Sequence, residues 1–252
     1  MLKIREACNI EHNATEGHLP MSIYRNPALQ RMIAGSMVER LFLSTLSKAQ
    51  IFLMSRHKEP KVVRLIRQVR KSRISLQSAF EQYMVYSLAK AHRRVPGEMA
   101  EVGVYQGASA KLLCEAAGDK TVHLFDTFEG LPKSSEQDRN VHAENEYACS
   151  LESVQAYLRG YDNIRYYKGL FPGSAVSVAE TKFSFVHCDV DLYESTHACL
   201  DFFYPRMTSG GVILFHDYSI LAGVKLAFEE FLADKREVPI DLPTTQCMLI
   251  KL

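Results

Sequence analysis

The chain has 252 residues, 47% of them hydrophobic and 23% charged, with a formal net charge of +1. Such a length and composition build one large packed domain, or a domain with an appendage, and exclude the disordered and fibrous classes. No apolar run reaches the ~20 residues of a membrane span, and the opening MLKIREACNI lacks the apolar core of a secretory signal, so a cytoplasmic protein without a transmembrane segment is expected.

The near-neutral total hides two electrically different halves. Residues 1–96 hold 17 Lys and Arg against 6 Glu, or +11, while residues 97–252 hold 13 against 23, or −10. The change falls near RRVPGEM, where Pro96 and Gly97 interrupt the pattern, and it divides a helical N-terminal region, 1–95, from a second domain, 96–252. In the first region Val38, Leu41 and Phe42, then Phe80, Tyr83, Met84 and Ser87, recur at helical spacing and predict three or four helices. KVVRLIRQVRKSR, residues 61–73, predicts a helix with Val62, Leu65, Ile66 and Val69 on one side and most of its cations off it. That cationic face reads as solvated, or as docking on acidic surface, in preference to binding lipid phosphate. Nucleic acid is not the expected ligand of a chain so close to neutrality. The six cysteines are scattered among apolar neighbours with no Cys-x-x-Cys pair and read as reduced core thiols.

After the boundary, short β-rich runs alternate with helical ones: 98–104, 121–126, 164–169, 183–189 and 210–217, with 246–252 at the end. This is the signature of a parallel sheet covered on both faces, an α/β fold whose ligands bind beyond the carboxyl ends of the strands. The first strand runs into EVGVYQGAS, bringing Glu101, Gly103, Gly107 and Ser109 to a strand-to-helix turn where the backbone can approach a ligand. The second ends at Asp126, placed to accept hydrogen bonds from ribose hydroxyls. The loop lacks the second glycine of the G-x-G-x-x-G dinucleotide fingerprint, so a cofactor without pyrophosphate suits it better than NAD. S-adenosylmethionine is the obvious candidate.

VPGEMAEVGVYQGASA, LFDTFEGLP, DVDLYEST, FFYPRMTSGGVILFHDY and AGVKLAFEEF, in that order, resemble the macrocin O-methyltransferase family. The resemblance implies a Rossmann-like methyltransferase sheet, mostly parallel with its last strand antiparallel, and an N-terminal helical region that contributes to a homo-oligomer and to the pocket for a small-molecule acceptor. It implies S-adenosylmethionine as cofactor, with Glu101, Gly103, Gly107, Ser109, Asp126, Thr127, Phe128 and Asp189 as the binding set. The activity implied is methylation of a hydroxyl on a small polar metabolite, a sugar or a glycosylated natural product. An NAD-dependent oxidoreductase and a non-catalytic nucleoside-binding module are the alternatives.

Two acids close the fourth strand. Asp191, with Glu194 three residues on, reads as the N-cap of the helix that follows, whereas Asp189 lacks that explanation and projects toward the cofactor. The fifth strand brings His216 and Asp217 to the same edge. In the family, the matching positions are three acids that hold a divalent metal, usually Mg²⁺, which grips the acceptor hydroxyl and lowers its pKa. Here His216 replaces one acid, and Mg²⁺ prefers oxygen ligands. Three arrangements remain open: Asp189 and Asp217 hold Mg²⁺ without His216; all three hold a softer ion such as Mn²⁺; or no metal binds and His216 is the general base. The other histidines read as structural, His187 as a hydrogen-bonded core residue. The polar segment between Pro132 and Asp162 reads as a lid over the site.

Overall fold

The computed structural model describes residues 26–252, and the opening segment, with Cys8 and the expected lack of a secretory signal, lies outside them. Four helices precede the sheet: α1 (Pro27–Ile33), α2 (Met37–Met54), α3 (Pro60–Ser72) and α4 (Ala79–Ala91). Beyond them run β1 (Glu98–Val102), α5 (Ala108–Ala117), β2 (Val122–Asp126), α6 (Leu151–Leu158), β3 (Ile164–Lys168), β4 (Phe183–Cys188) and α7 (Tyr193–Phe203). β5 (Met207–Phe215), α8 (Ala222–Phe231), β6 (Ile240–Asp241) and β7 (Cys247–Ile250) complete the described chain. The two-residue β6 went unforeseen, because Val238-Pro-Ile-Asp-Leu-Pro243 is too short and too proline-rich to show an alternating pattern.

The seven strands form one sheet in the order β3-β2-β1-β4-β5-β7-β6. β1 to β5 are mutually parallel, and β7 pairs antiparallel with β5. The chain winds outward from β1 to β3 and then restarts at β4 on the other side of β1, so the strand order reverses between β1 and β4. Alternate residues of the central strands face opposite layers. Met99, Leu124, Phe185 and Leu214 join α3, α4 and α5 in one core, while Ala100, Phe125, Val186 and Phe215 join α7 and α8 in the other. Burial on both faces explains the near-continuous apolar runs of the sequence.

The spacing reading of the helical region succeeds for α3, where Val62, Leu65, Ile66 and Val69 are all buried. Three of the run's cations serve the chain itself: Arg70 turns inward to the carbonyls of Gln77 and Leu43, Arg73 binds Ser153, and Lys61 lies 3.7 Å from Glu115, while Arg64, Arg67 and Lys71 are exposed. For α2 and α4 the helices form as the spacing predicts. Val38, Leu41 and Phe42 remain more than half exposed, whereas α4 buries Val85, Tyr86 and Ala89 and packs Phe80, Tyr83 and Met84, half-buried, against the same core. α4 lies between α2, α3 and α5, so its apolar positions circle it and no single stripe marks the inner face. The core is continuous across residue 95, with Val85 and Ala89 in the same cluster as Met99 and Phe185. The five described cysteines are all free, and no described helix is long and apolar enough to cross a membrane.

At the switch point the two central strand ends nearly touch. Asp189 N donates to Val102 O at 2.9 Å, and a Cβ added to Gly103, whose φ is +84°, would lie 1.8 Å from Asp189 O. At Gly107 φ is +79°, but an added Cβ would meet nothing nearer than 3.4 Å. Gly103→Ala is therefore expected to destabilise the fold by more than about 3 kcal/mol, and Gly107→Ala by about 1–2 kcal/mol from left-handed strain alone. Urea unfolding of the two variants checks this, and equal losses would contradict the steric argument.

Candidate functional site

A cavity of about 680 Å³ lies over the carboxyl ends of β1, β2, β4 and β5, within the usual size range of ligand sites. α1 and α2 wall one side, and the connection carrying Val141, His142, Glu146 and Tyr147 covers another. Of the residues expected to contact a cofactor or acceptor, Gly103, Ser109, Asp126, Thr127, Asp189, His216 and Asp217 line this space. Glu101, Gly107 and Phe128 are absent from its described lining, and the Phe128 ring packs into the core on the α5 side.

The loop between β1 and α5 is held from below. Asp126 Oδ2 accepts from Val104 N at 2.6 Å and Tyr105 N at 3.0 Å, and Oδ1 accepts from Phe128 N at 2.6 Å. One carboxylate thus clips the glycine loop to the end of β2, a structural duty that spacing alone does not reveal. A carboxylate offers about four lone-pair directions, so capacity for a further donor remains. Thr127 donates to Gly130 O at 2.7 Å and closes the turn beside it. Glu101 points away from the cavity and is wholly buried with His187, whose Nδ1 lies 2.8 Å from Glu101 Oε1. Burial pushes the Glu101 carboxyl up, against the opposing pull of His187. His187 is the hydrogen-bonded core residue that its place inside the strand suggested.

Asp189, His216 and Asp217 converge. Their ligand atoms lie within 4.8 Å of one another. His216 Nδ1 is 3.2 Å from Asp189 Oδ1 and 3.0 Å from Asp217 Oδ1, ion-pair distances to both carboxylates without a well-aligned hydrogen bond to either. Three atoms able to ligate a metal, two carboxylate oxygens and one imidazole nitrogen, therefore face a common centre. On the far side of the ring, Nε2 is 3.5 Å from Glu81 Oε2 and 3.4 Å from the Thr245 hydroxyl. Burial alone would lower the pKa of His216, but Asp189, Asp217 and Glu81 outweigh it and raise it well above the ordinary value. Burial likewise opposes ionisation of Asp189, and the His216 charge overcomes it, holding the carboxyl at about 2.

Asp191 belongs to this group and does not cap α7. The N-cap position is Leu192, and Tyr193 N donates instead to Asp138 Oδ1 at 2.7 Å, from the long polar connection. The reason is backbone conformation: Asp191 sits at φ +58°, which turns its side chain toward Asp217, whereas an N-cap needs extended backbone. Burial, then the charges of Asp189 and Asp217, push the Asp191 carboxyl well above its usual range.

Glu81, Thr245 and Gln77 complete the surroundings and were missed by sequence reasoning. Glu81 forms a capping box with Ser78 at the start of α4, and its Oε1 accepts from Thr245 N at 3.2 Å and Thr245 Oγ1 at 2.8 Å. The Ser-x-x-Glu spacing announces the cap, but nothing local announces that the same carboxylate reaches His216. Gln77 donates to Asp189 Oδ2 at 2.8 Å across 112 positions of sequence.

Comparison with known proteins fits this geometry. The profile of the family described as Macrocin-O-methyltransferase (TylF) matches residues 77–247, more than half of the chain. The 8-demethyl-8-(2,3-dimethoxy-alpha-L-rhamnosyl)-tetracenomycin-C 4'-O-methyltransferase of Streptomyces olivaceus is 31% identical over 142 residues, 50% of this chain and 54% of that protein. The demethyldecarbamoylnovobiocin O-methyltransferase of Streptomyces niveus is 31% identical over 155 residues, 55% of this chain and 59% of that protein. The matches thus span little more than half the length of these relatives. Among solved structures, the O-methyltransferase NovP superposes with a TM-score of 0.65 at 22% identity, covering 84% of this chain and 99% of that one, a likeness of fold. From the matched span and the sheet that carries it, this chain belongs to the macrocin O-methyltransferase family.

Proposed function

We propose that the protein is an S-adenosylmethionine-dependent O-methyltransferase acting on a hydroxyl of a glycosylated molecule with a largely apolar body. The observation that carries this reading is the convergence of Asp189, His216 and Asp217 beside the glycine loop, inside a single cavity. The family and the names of its relatives support the reaction type. S-adenosylmethionine, when bound, supplies an electrophilic methyl group on a sulfonium.

The lining supports the acceptor class. Leu29, Ile33, Val38, Phe42, Leu46 and Ile74 form an apolar wall opposite the strand ends. Among the described lining residues there is no Lys or Arg, while Glu39 stands on α2, Glu81 at the start of α4, Glu146 on the covering connection, and Asp126, Asp189, Asp191 and Asp217 at the strand ends. Acidic walls of low polarity repel phosphates and carboxylates and attract cations. The wall therefore suits the cationic donor and an uncharged acceptor, and opposes a nucleoside diphosphate sugar or an acyl thioester of coenzyme A.

The residues also fit a divalent cation. Asp189, Asp217 and Nδ1 of His216 would hold it, a set of two carboxylate oxygens and one imidazole nitrogen that suits Mn²⁺ better than Mg²⁺. Such an ion, when bound, lowers the pKa of a coordinated hydroxyl near neutral pH. To offer Nδ1 as a ligand, His216 must give up the proton that its carboxylate neighbours favour, so loading releases a proton. Glu81 and Thr245 keep the ring in place from behind through Nε2.

Two outcomes are expected. Methyl transfer should fall at least about 100-fold in EDTA and return more fully with Mn²⁺ than with Mg²⁺; activity indifferent to chelation would remove the metal from the mechanism. In a panel of rhamnosides, a glycoside with an uncharged apolar aglycone should show kcat/KM at least about tenfold above that of the matching nucleoside diphosphate sugar. The reverse order would overturn the acceptor assignment.

A further inference from the structure

We infer that Gln77 is a positioning residue of the site, the side chain that makes Asp189 a one-oxygen ligand. The inference rests on the metal-assisted reading above. Gln77 precedes Ser78, the N-cap of α4, and its own carbonyl is held by Arg70 Nη1 at 2.5 Å, so its backbone is fixed before the side chain enters the site. The side chain is 4% exposed. Its Nε2 lies 2.8 Å from Asp189 Oδ2 and 3.5 Å from His187 Nε2.

Donor and acceptor roles follow from the neighbours. Glu101 Oε1 sits 2.8 Å from His187 Nδ1, so the imidazole proton belongs on Nδ1 and Nε2 is left as an acceptor. Gln77 therefore faces two acceptors, His187 Nε2 and one oxygen of Asp189. A primary amide supplies two N–H groups to them without adding a charge. A lysine would satisfy both acceptors but would set a positive charge against the cation that Asp189 is needed to hold.

The consequence is directional. With Oδ2 tied to Gln77, Asp189 turns Oδ1 toward the common centre, 3.2 Å from His216 Nδ1. The amide is also committed to one orientation, which leaves Gln77 Oε1 buried, without a hydrogen-bond partner, on a residue that lines the cavity. An orphaned buried acceptor at a site wall is a place for a donor that arrives with the ligands, such as a metal-bound water. Glu101, His187, Gln77 and Asp189 thus form a buried hydrogen-bonded line running from beneath the cofactor loop to the cluster. Supporting side chains of this sort set metal affinity without touching the metal.

The test is calorimetric titration of the full chain with Mn²⁺, and separately with S-adenosylhomocysteine, for the parent and for Gln77→Met, which keeps the volume and removes both donors. Mn²⁺ binding should weaken by about 10- to 100-fold, while S-adenosylhomocysteine binding stays within about threefold and the thermal midpoint reports an intact fold. Unchanged Mn²⁺ affinity in the variant would overturn the role of Gln77 and leave the metal reading standing. Parallel losses for both ligands would reduce Gln77 to a part of the wall and overturn the proposal as well. A parent chain that binds no Mn²⁺ would sink the metal reading itself, and the role of Gln77 with it. Should Gln77→Met not fold, Gln77→Asn, which retains the amide one methylene short of Asp189, reads the same affinity with the same expectation.

Discussion

The close approach of two strand ends, Val102-Gly103 of β1 and Asp189 of β4, is the constraint on which the site depends. Parallel pairing carries both strands to the same edge, and a missing side chain at Gly103 lets the backbone of Asp189 settle against it. From that contact follow the direction of Asp189, its distance from β5 and its access to the glycine loop. The reversal of strand order between β1 and β4 opens the crevice, as in open α/β sheets generally. Asp126 secures the other side of the same loop through two of its backbone amides, Val104 N and Tyr105 N, so the loop is held at both ends by carboxyl-bearing residues.

Around that edge the protein assembles charges that oppose one another. His216 lies among Asp189, Asp217 and Glu81, with Asp191 next to Asp217. Burying such a group is costly unless each charge is matched. Within the chain the compensation comes from His216, whose pKa these carboxylates raise, and from the Asp191 carboxyl, pushed up by burial and by Asp189 and Asp217. A divalent ion offers the same compensation more compactly, which ties ligand loading to proton release.

The sheet, its covered faces and the meeting of Asp189, His216 and Asp217 were legible because they rest on period and on strand ends, both local properties of sequence. What was not legible depends on contacts between distant segments. Gln77 reaches Asp189, and Glu81 reaches His216, from a helical region whose register against the sheet no local pattern encodes. Asp191 was read as a helix cap because residue type and spacing matched. Its left-handed backbone, and the Asp138 carboxylate that takes over the capping, are decided by the path of a long connection. Spacing marks α2 and α4 as helices but not how deeply each apolar residue is buried: Val38, Leu41 and Phe42 stay more than half exposed, while Phe80, Tyr83 and Met84 pack half-buried on the core.

Among the described residues the lining holds no lysine or arginine, and this has a consequence for turnover. Transfer of a methyl cation from the proposed donor turns a sulfonium into a neutral thioether, so the spent cofactor is one positive charge poorer than the fresh one. The acidic chamber that draws the donor in has less hold on what remains after the reaction. Exchange of used for unused cofactor is thereby favoured by the walls of the cavity, with no moving part required.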